Sequence, residues 1–264
     1  MSLCDDCIKG IRHEGTPEGK WETINGVECY VGTPAGEYRN DKVLLYLCHV
    51  FGPQFPNAQL LIDDFARNGI KTVAPDTFEK DGVPFEFLES EEKRRAFDLT
   101  SWFNRHTPAI SRPLVDKVIA GLKGQGATTF AATGYYYGGR LVFNLALENM
   151  IAVSIASHPS LLRAPEDFEN CLSTSHAPLL LNTCTNDEQF PEPMQLQADA
   201  ILGGDKFTPG YKREYFDGCT HGFAVRADLD DPTMKAGKEG AFKAAVAWLY
   251  RYGFGSGAVE KTEK

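Results

Sequence analysis

The chain has 264 residues, 42% hydrophobic and 24% charged, enough to bury a sizeable core and near the upper size of a single domain. A formal charge of −9 argues against a working surface for nucleic acid or an anionic membrane, which needs a cationic face, and leaves a small neutral or acidic molecule as the expected partner. No run approaches the roughly 18 apolar residues of a membrane span, and the polar "MSLCDDCIKG" lacks a secretory core. A cytoplasmic monomer or homodimer is expected.

The 7 cysteines are irregularly spaced and odd in number, so they read as reduced thiols rather than a disulfide framework. Cys4 and Cys7 form one CxxC, but no second pair follows at zinc-site spacing, so no structural metal is expected.

In chain order, "KVLLYLCHVFG" (Lys42 to Gly52) reads as a buried strand. "NAQLLIDDFARNG" reads as a helix with Leu60, Leu61 and Phe65 inward and Gly69 as its stop. "IKTVAPDTF" is the next strand. The segment from Glu79 to Ile110, with Phe85, Phe87, Trp102 and Phe103, reads either as a cap or lid or as an aromatic satellite core. "RPLVDKVIAGLKG" then gives a helix, "ATTFAATGYY" a strand and "GGRLVFNLALEN" a helix. "AVSIASHPS", "APLLLNTCTND" and "KREYFDG" follow as strands, and "AGKEGAFKAAVAWLYRYG" as a closing amphipathic helix. Strands separated by helices imply right-handed crossovers and a mostly parallel sheet covered on both faces, an α/β class. One domain over residues 1–254 is expected, with a cap at 79–110 and a loose tail at 255–264.

Ligands of open α/β sheets bind at the carboxyl ends of strands, so residues just past a strand carry most weight. Three stand out. The turn Gly134-Tyr135-Tyr136-Tyr137-Gly138-Gly139 has the spacing of a nucleophile elbow, with Tyr136 at its centre; Asp187 in "NTCTNDEQFP" and His221 in "DGCTHGF" follow other strands. Central residue, acid and histidine in that order is the order of α/β-hydrolase triads, in which the histidine moves a proton and the carboxylate fixes its tautomer. Each piece also has a plain structural reading. Asp187 could cap a helix beginning near Pro191, and His221 alone could be a satisfied loop histidine.

The segments "HVFG", "NAQLLIDDFARNGIKTVAPDTF", the elbow, "SHPS", "NDEQFP" and "HGFAVRAD" together resemble the dienelactone hydrolase family of α/β-hydrolases, particularly its fungal-type members. The resemblance implies the α/β-hydrolase fold and an elbow that normally carries a cysteine. It also implies an acid at Asp187, a histidine at His221, and an oxyanion hole from the Val50 and Tyr137 backbone N–H groups. The residue ahead of that valine is usually acidic in the family, whereas this chain carries His49. Two central positions depart together.

Tyrosine is a poor substitute for a thiolate. Its unperturbed pKa is about 10, and its hydroxyl stands roughly 4 Å farther from the backbone than a thiol. Three readings are open. In one, His221 and Asp187 act as a base pair on a lactone, ester or related carbonyl compound, with Tyr136 as acid/base or positioning group and His49 as a second proton carrier; the reaction is hydrolysis, or a cyclisation, isomerisation or elimination. In the second the chain is a pseudoenzyme that binds a ligand. In the third Tyr136 replaces the cysteine of an ordinary hydrolase. Arg226 is a candidate carboxylate binder, with Phe51 and Tyr135 as further substrate-binding candidates. Cys48 reads as core, His158 as shaping a strand end and Arg140 as a helix-surface ion pair. No phosphate-cradling glycine loop is present, so no cofactor is expected.

Overall fold

A computed structural model describes residues 14–255. The chain opens with a hairpin, β1 (Lys20–Ile24) and β2 (Val27–Gly32), followed by β3 (Lys42–Leu47), α1 (Pro56–Arg67) and β4 (Thr72–Pro75). A 3-10 turn (Phe85–Leu88) and helices α2 (Glu91–Ala96), α3 (Leu99–Arg105) and α4 (Pro108–Gly124) lead to β5 (Thr129–Tyr135). Then come α5 (Tyr137–Leu147), β6 (Val153–Ser157), α6 (Glu166–Thr174), β7 (Leu179–Asn186) and α7 (Glu192–Leu202). Finally β8 (Tyr211–Thr220), α8 (Phe223–Arg226) and α9 (Pro232–Arg251) complete the described chain.

The strands form one 8-stranded sheet in the order β1-β2-β4-β3-β5-β6-β7-β8. β1, β2 and β4 pair antiparallel in succession, and every pairing from β4 through β8 is parallel. This is the α/β-hydrolase arrangement expected from the sequence, with the N-terminal hairpin as an addition. β4 and β6 are buried along their whole length because helices cover both faces. α1 buries Leu60, Leu61 and Phe65, and Phe65 meets Phe242 of α9 at 4.8 Å, so these helices share one face of the sheet. α1 ends as the sequence indicates, with Gly69 at φ 74°. A second apolar cluster, around Phe143, Phe168 and Phe190, joins α5 and α6 to the start of α7.

The 79–110 segment serves two purposes. Trp102 of α3 is fully buried in the main core, 5.0 Å from Phe78, and its indole N–H donates to the Asp81 carbonyl at 2.6 Å. The Tyr137 hydroxyl donates to the His106 carbonyl at 2.7 Å, pinning the end of this segment beneath the elbow helix. Phe85, in contrast, is 40% exposed and lies 5.4 Å from Phe55 at the edge of the cleft. Both halves of the segment pack against the main core, the first through Val83, Phe87 and Leu88 and the second through Trp102.

Among the described residues no helix is long and apolar enough to cross a membrane, and no group of three or more His, Cys, Asp or Glu is placed to hold a metal ion. Cys4, Cys7 and residues 256–264 lie outside the described residues.

Candidate active site

β5, β7 and β8 end at Tyr135, Asn186 and Thr220, so the next residues, Tyr136, Asp187 and His221, all emerge at the same edge of the sheet. Tyr136 sits at φ 52°, ψ −110°, a conformation that side-chain-bearing residues rarely adopt. It persists because its surroundings over-determine it. The Tyr136 N–H donates to the Ser157 carbonyl at 3.3 Å, and the Tyr136 carbonyl accepts from the N–H groups of Gly139 at 3.0 Å and Ser160 at 3.1 Å. The flanking glycines allow the strand and helix to close on each other. A Cβ on Gly134 would stand 2.3 Å from the Gly138 carbonyl oxygen, and one on Gly138 would stand 2.0 Å from that of Leu47.

The acid and histidine meet. The His221 Nδ1 lies 2.8 Å from Asp187 Oδ1, with the two side chains 21% and 1% exposed. The same oxygen accepts from the N–H groups of Gln189 at 2.9 Å and Phe190 at 3.0 Å, which fixes the carboxylate before the histidine arrives. The alternative role of Asp187 as a helix cap is not what is observed: α7 is capped at Pro191 with no side-chain bond. The His221 N–H donates to the Asn186 carbonyl at 2.9 Å, tying the histidine to the end of β7.

The Tyr136 ring stands edge-on to His221, with centroids 4.9 Å apart and planes at 79°. Burial raises its pKa above 10, Asp187 adds to the rise, and the nearby Arg226 charge opposes it. The phenol is therefore an O–H donor at neutral pH and not a phenolate nucleophile. Arg226 folds back over the α8 N-terminus, where a Cβ on Gly222 would lie 2.6 Å from its Cζ. Its outer face is exposed while desolvation of the inner face pulls its pKa down; the Tyr136 phenol opposes that shift and Arg94 adds to it. Neither Arg226 nor Arg94 has an ion-pair partner among the described residues. The N–H groups of Val50 and Tyr137 likewise have no acceptor there, as oxyanion donors require.

Two expectations are corrected. His49 is 3% exposed, and burial pushes its pKa down to about 3, so it is a neutral imidazole rather than a proton carrier at pH 7. Its Nδ1 accepts from the Phe51 N–H at 3.3 Å, which places its own proton on Nε2. Tyr135 is 3% exposed and stacks on Tyr46 at 4.9 Å, so it lies beneath the site instead of lining it. Phe51 is 4% exposed and packs against His49, Phe55, Phe85 and Phe87, forming an aromatic wall beside the Val50 turn. Cys48 is in the core, and Arg140 pairs with the buried Asp167 at 2.5 Å, the structural roles expected for both.

His158 is the residue that sequence reasoning underweighted. It is 1% exposed, and its ring centroid lies 5.0 Å from that of His221. The signal was available, because it directly follows β6 at the same sheet edge as the other three residues.

Comparison with known proteins shows the family. The family model of the dienelactone hydrolases matches residues 27–253. The hydrolase pyvD of Aspergillus violaceofuscus is 28% identical over 247 residues, covering 93% of this chain and 95% of the relative. Dienlactone hydrolase 1 of Gibberella moniliformis is 30% identical over 251 residues, covering 94% and 92%. Among solved structures, a protein of Klebsiella pneumoniae described as a dienelactone hydrolase superposes with a TM-score of 0.69 at 14% identity, covering 89% of this chain and 99% of that one. With the sheet order, the elbow backbone and a family match over nearly the whole described chain, this protein belongs to the dienelactone hydrolase family of hydrolases.

Proposed function

We propose that the chain hydrolyses an ester or lactone bond in a small carboxylate-bearing molecule, without an acyl-enzyme on Tyr136. The observation that carries this reading is the 2.8 Å contact between His221 and the buried Asp187, an oriented general base retained beside a residue that cannot act as a thiolate. His221 Nε2 takes a proton from water as the water oxygen bonds to the substrate carbonyl carbon. The carbonyl oxygen, now negative, is held by the Val50 and Tyr137 N–H groups. As the tetrahedral adduct collapses, the bond to the leaving oxygen breaks and the proton on His221 passes to that oxygen. The neutral Tyr136 hydroxyl positions the substrate by donating a hydrogen bond, and Arg226 binds its carboxylate. The aromatic wall of Phe51 and Phe55 flanks the reacting carbonyl.

A variant His221→Ala is expected to abolish hydrolysis of the substrate while leaving the melting temperature nearly unchanged; full retained activity would reject the assignment. The second reading is a cyclisation, isomerisation or elimination by the same residues, supported by the protonated phenol beside the base. It takes up no solvent oxygen, so label from heavy-oxygen water in the product separates the two.

A further inference from the structure

His158 occupies a position that a core side chain should avoid. Neither of its ring nitrogens has a hydrogen-bond partner among the described residues, although both are buried, and its backbone lies at φ 37°. A buried polar atom without a partner is destabilising, and so is a side chain in left-handed backbone. Yet the ring is firmly held. It meets His221 at 5.0 Å with planes at 68°, Phe223 at 5.7 Å and Tyr135 at 6.1 Å, and the backbone N–H of His158 donates to the Asn182 carbonyl at 2.8 Å. Such a group contributes little to stability and lies against the one side chain that changes charge in the proposed reaction.

We propose that His158 is a positioning residue for the catalytic pair: its neutral imidazole backs the His221 ring, fixing its orientation and presenting the unprotonated nitrogen's lone pair to that ring when it becomes positively charged. This rests on the reading of His221 as general base. Because neither ring nitrogen of His158 is bonded to another group among the described residues, its lone pair is not engaged elsewhere. Burial is the largest influence holding His158 neutral, and repulsion from His221, Arg226 and His49 adds to it. The other ionisable groups facing this cluster are Asp187, bonded to His221, and the phenols of Tyr136 and Tyr135, both held in the protonated form by burial.

The test uses the full chain with His158→Leu, which removes both nitrogens, and His158→Gly, which also removes them and tolerates positive φ should the leucine variant fold poorly. Two signals are read: the downfield proton resonance of the His221 Nδ1–H bonded to Asp187, identified by its loss in Asp187→Ala, and the pH–rate profile for 4-nitrophenyl acetate. The resonance is expected to broaden or vanish, and the acid limb of the profile to move to lower pH by about half a unit. With general-base function weakened, kcat should fall about tenfold with KM within about twofold. His158→Gln, which restores a donor and an acceptor, should regain most of kcat. An unmoved resonance and acid limb in both variants would overturn the proposal, as would a kcat loss that merely tracks the folded fraction. Failure of the general-base reading is distinguishable, because it would appear as activity surviving His221→Ala.

Discussion

Acidification from pH 7 to pH 5 should cost this protein stability through two buried imidazoles, and the size of the effect follows from their surroundings. His49 carries an imidazole whose ordinary pKa of 6.5 is pushed to about 3 by burial, and His158 is pushed well below 6.5 for the same reason. In both, the folded value lies below the unfolded one. The unfolded chain therefore binds more protons than the folded chain between about pH 6.5 and pH 3, and stability falls as pH falls across that window. Each unit of pH spent in the window costs about 1.4 kcal/mol per group, so the step from 7 to 5 costs about 2 kcal/mol through His49, and His158 adds a loss in the same direction. Against a total of about 5–15 kcal/mol the His49 share is already large, and it corresponds to a melting temperature lower by about 5 °C. Urea melts of the wild type and of His49→Gln at the two pH values measure it. The glutamine variant should lose about 2 kcal/mol less between them, whatever its stability at pH 7. Equal losses in the two proteins would show that His49 is protonated in the folded state and refute the argument.

Further expectations follow from other contacts. Gly138→Ala should destabilise the fold by about 3 kcal/mol or more, since its Cβ would stand 2.0 Å from the Leu47 carbonyl oxygen, a backbone atom that cannot step aside; a loss below about 1 kcal/mol in denaturant melts would contradict that. Arg226→Gln should raise KM about tenfold for an ester bearing a carboxylate and leave a neutral ester of the same length unchanged, because only the charged hydrogen bond is removed. Equal effects on both esters would place the carboxylate elsewhere. Tyr136→Cys should gain activity on a simple aryl ester, with Asp187 and His221 already in place beneath it. No gain would mean that the pocket itself has diverged from thiol chemistry.

Much of this was legible in the sequence, for identifiable reasons. The buried runs of β3 and β5 and the amphipathic α1 carry their periodicity in the residues themselves, and strand ends locate Tyr136, Asp187 and His221 without further information. The β1–β2 hairpin is illegible because "KWETI" is exposed at four of its five positions; its strand state comes from pairing, β1 with β2 and β2 in turn with β4, which is distant in sequence. The division of the 79–110 segment is equally a tertiary outcome, since nothing local says that Trp102 is wholly enclosed while Phe85 keeps 40% of its surface in water. The corrections at His49 and Tyr135 share one cause. Spacing shows which residues lie near a strand end, but burial decides their protonation and whether they face the ligand or the core, and burial belongs to the assembled fold.

The clamp on the elbow has a consequence for what this scaffold can become. Position 136 is held by its own N–H and carbonyl, by the Ser157, Gly139 and Ser160 backbone, and by close approaches of Gly134, Gly138 and Gly139 to the Gly138 and Leu47 carbonyls, Val142 and Pro159. None of these involves the side chain at 136. The elbow thus works as a socket whose address is set by backbone contacts: a non-proline residue placed there meets the same backbone partners beside His221, glycine at lower conformational cost and β-branched residues at higher. A saturation library at this single codon would therefore sample thiol, hydroxyl, carboxylate and phenol chemistries at constant geometry, making the chain a natural chassis for comparing reactive groups one substitution at a time.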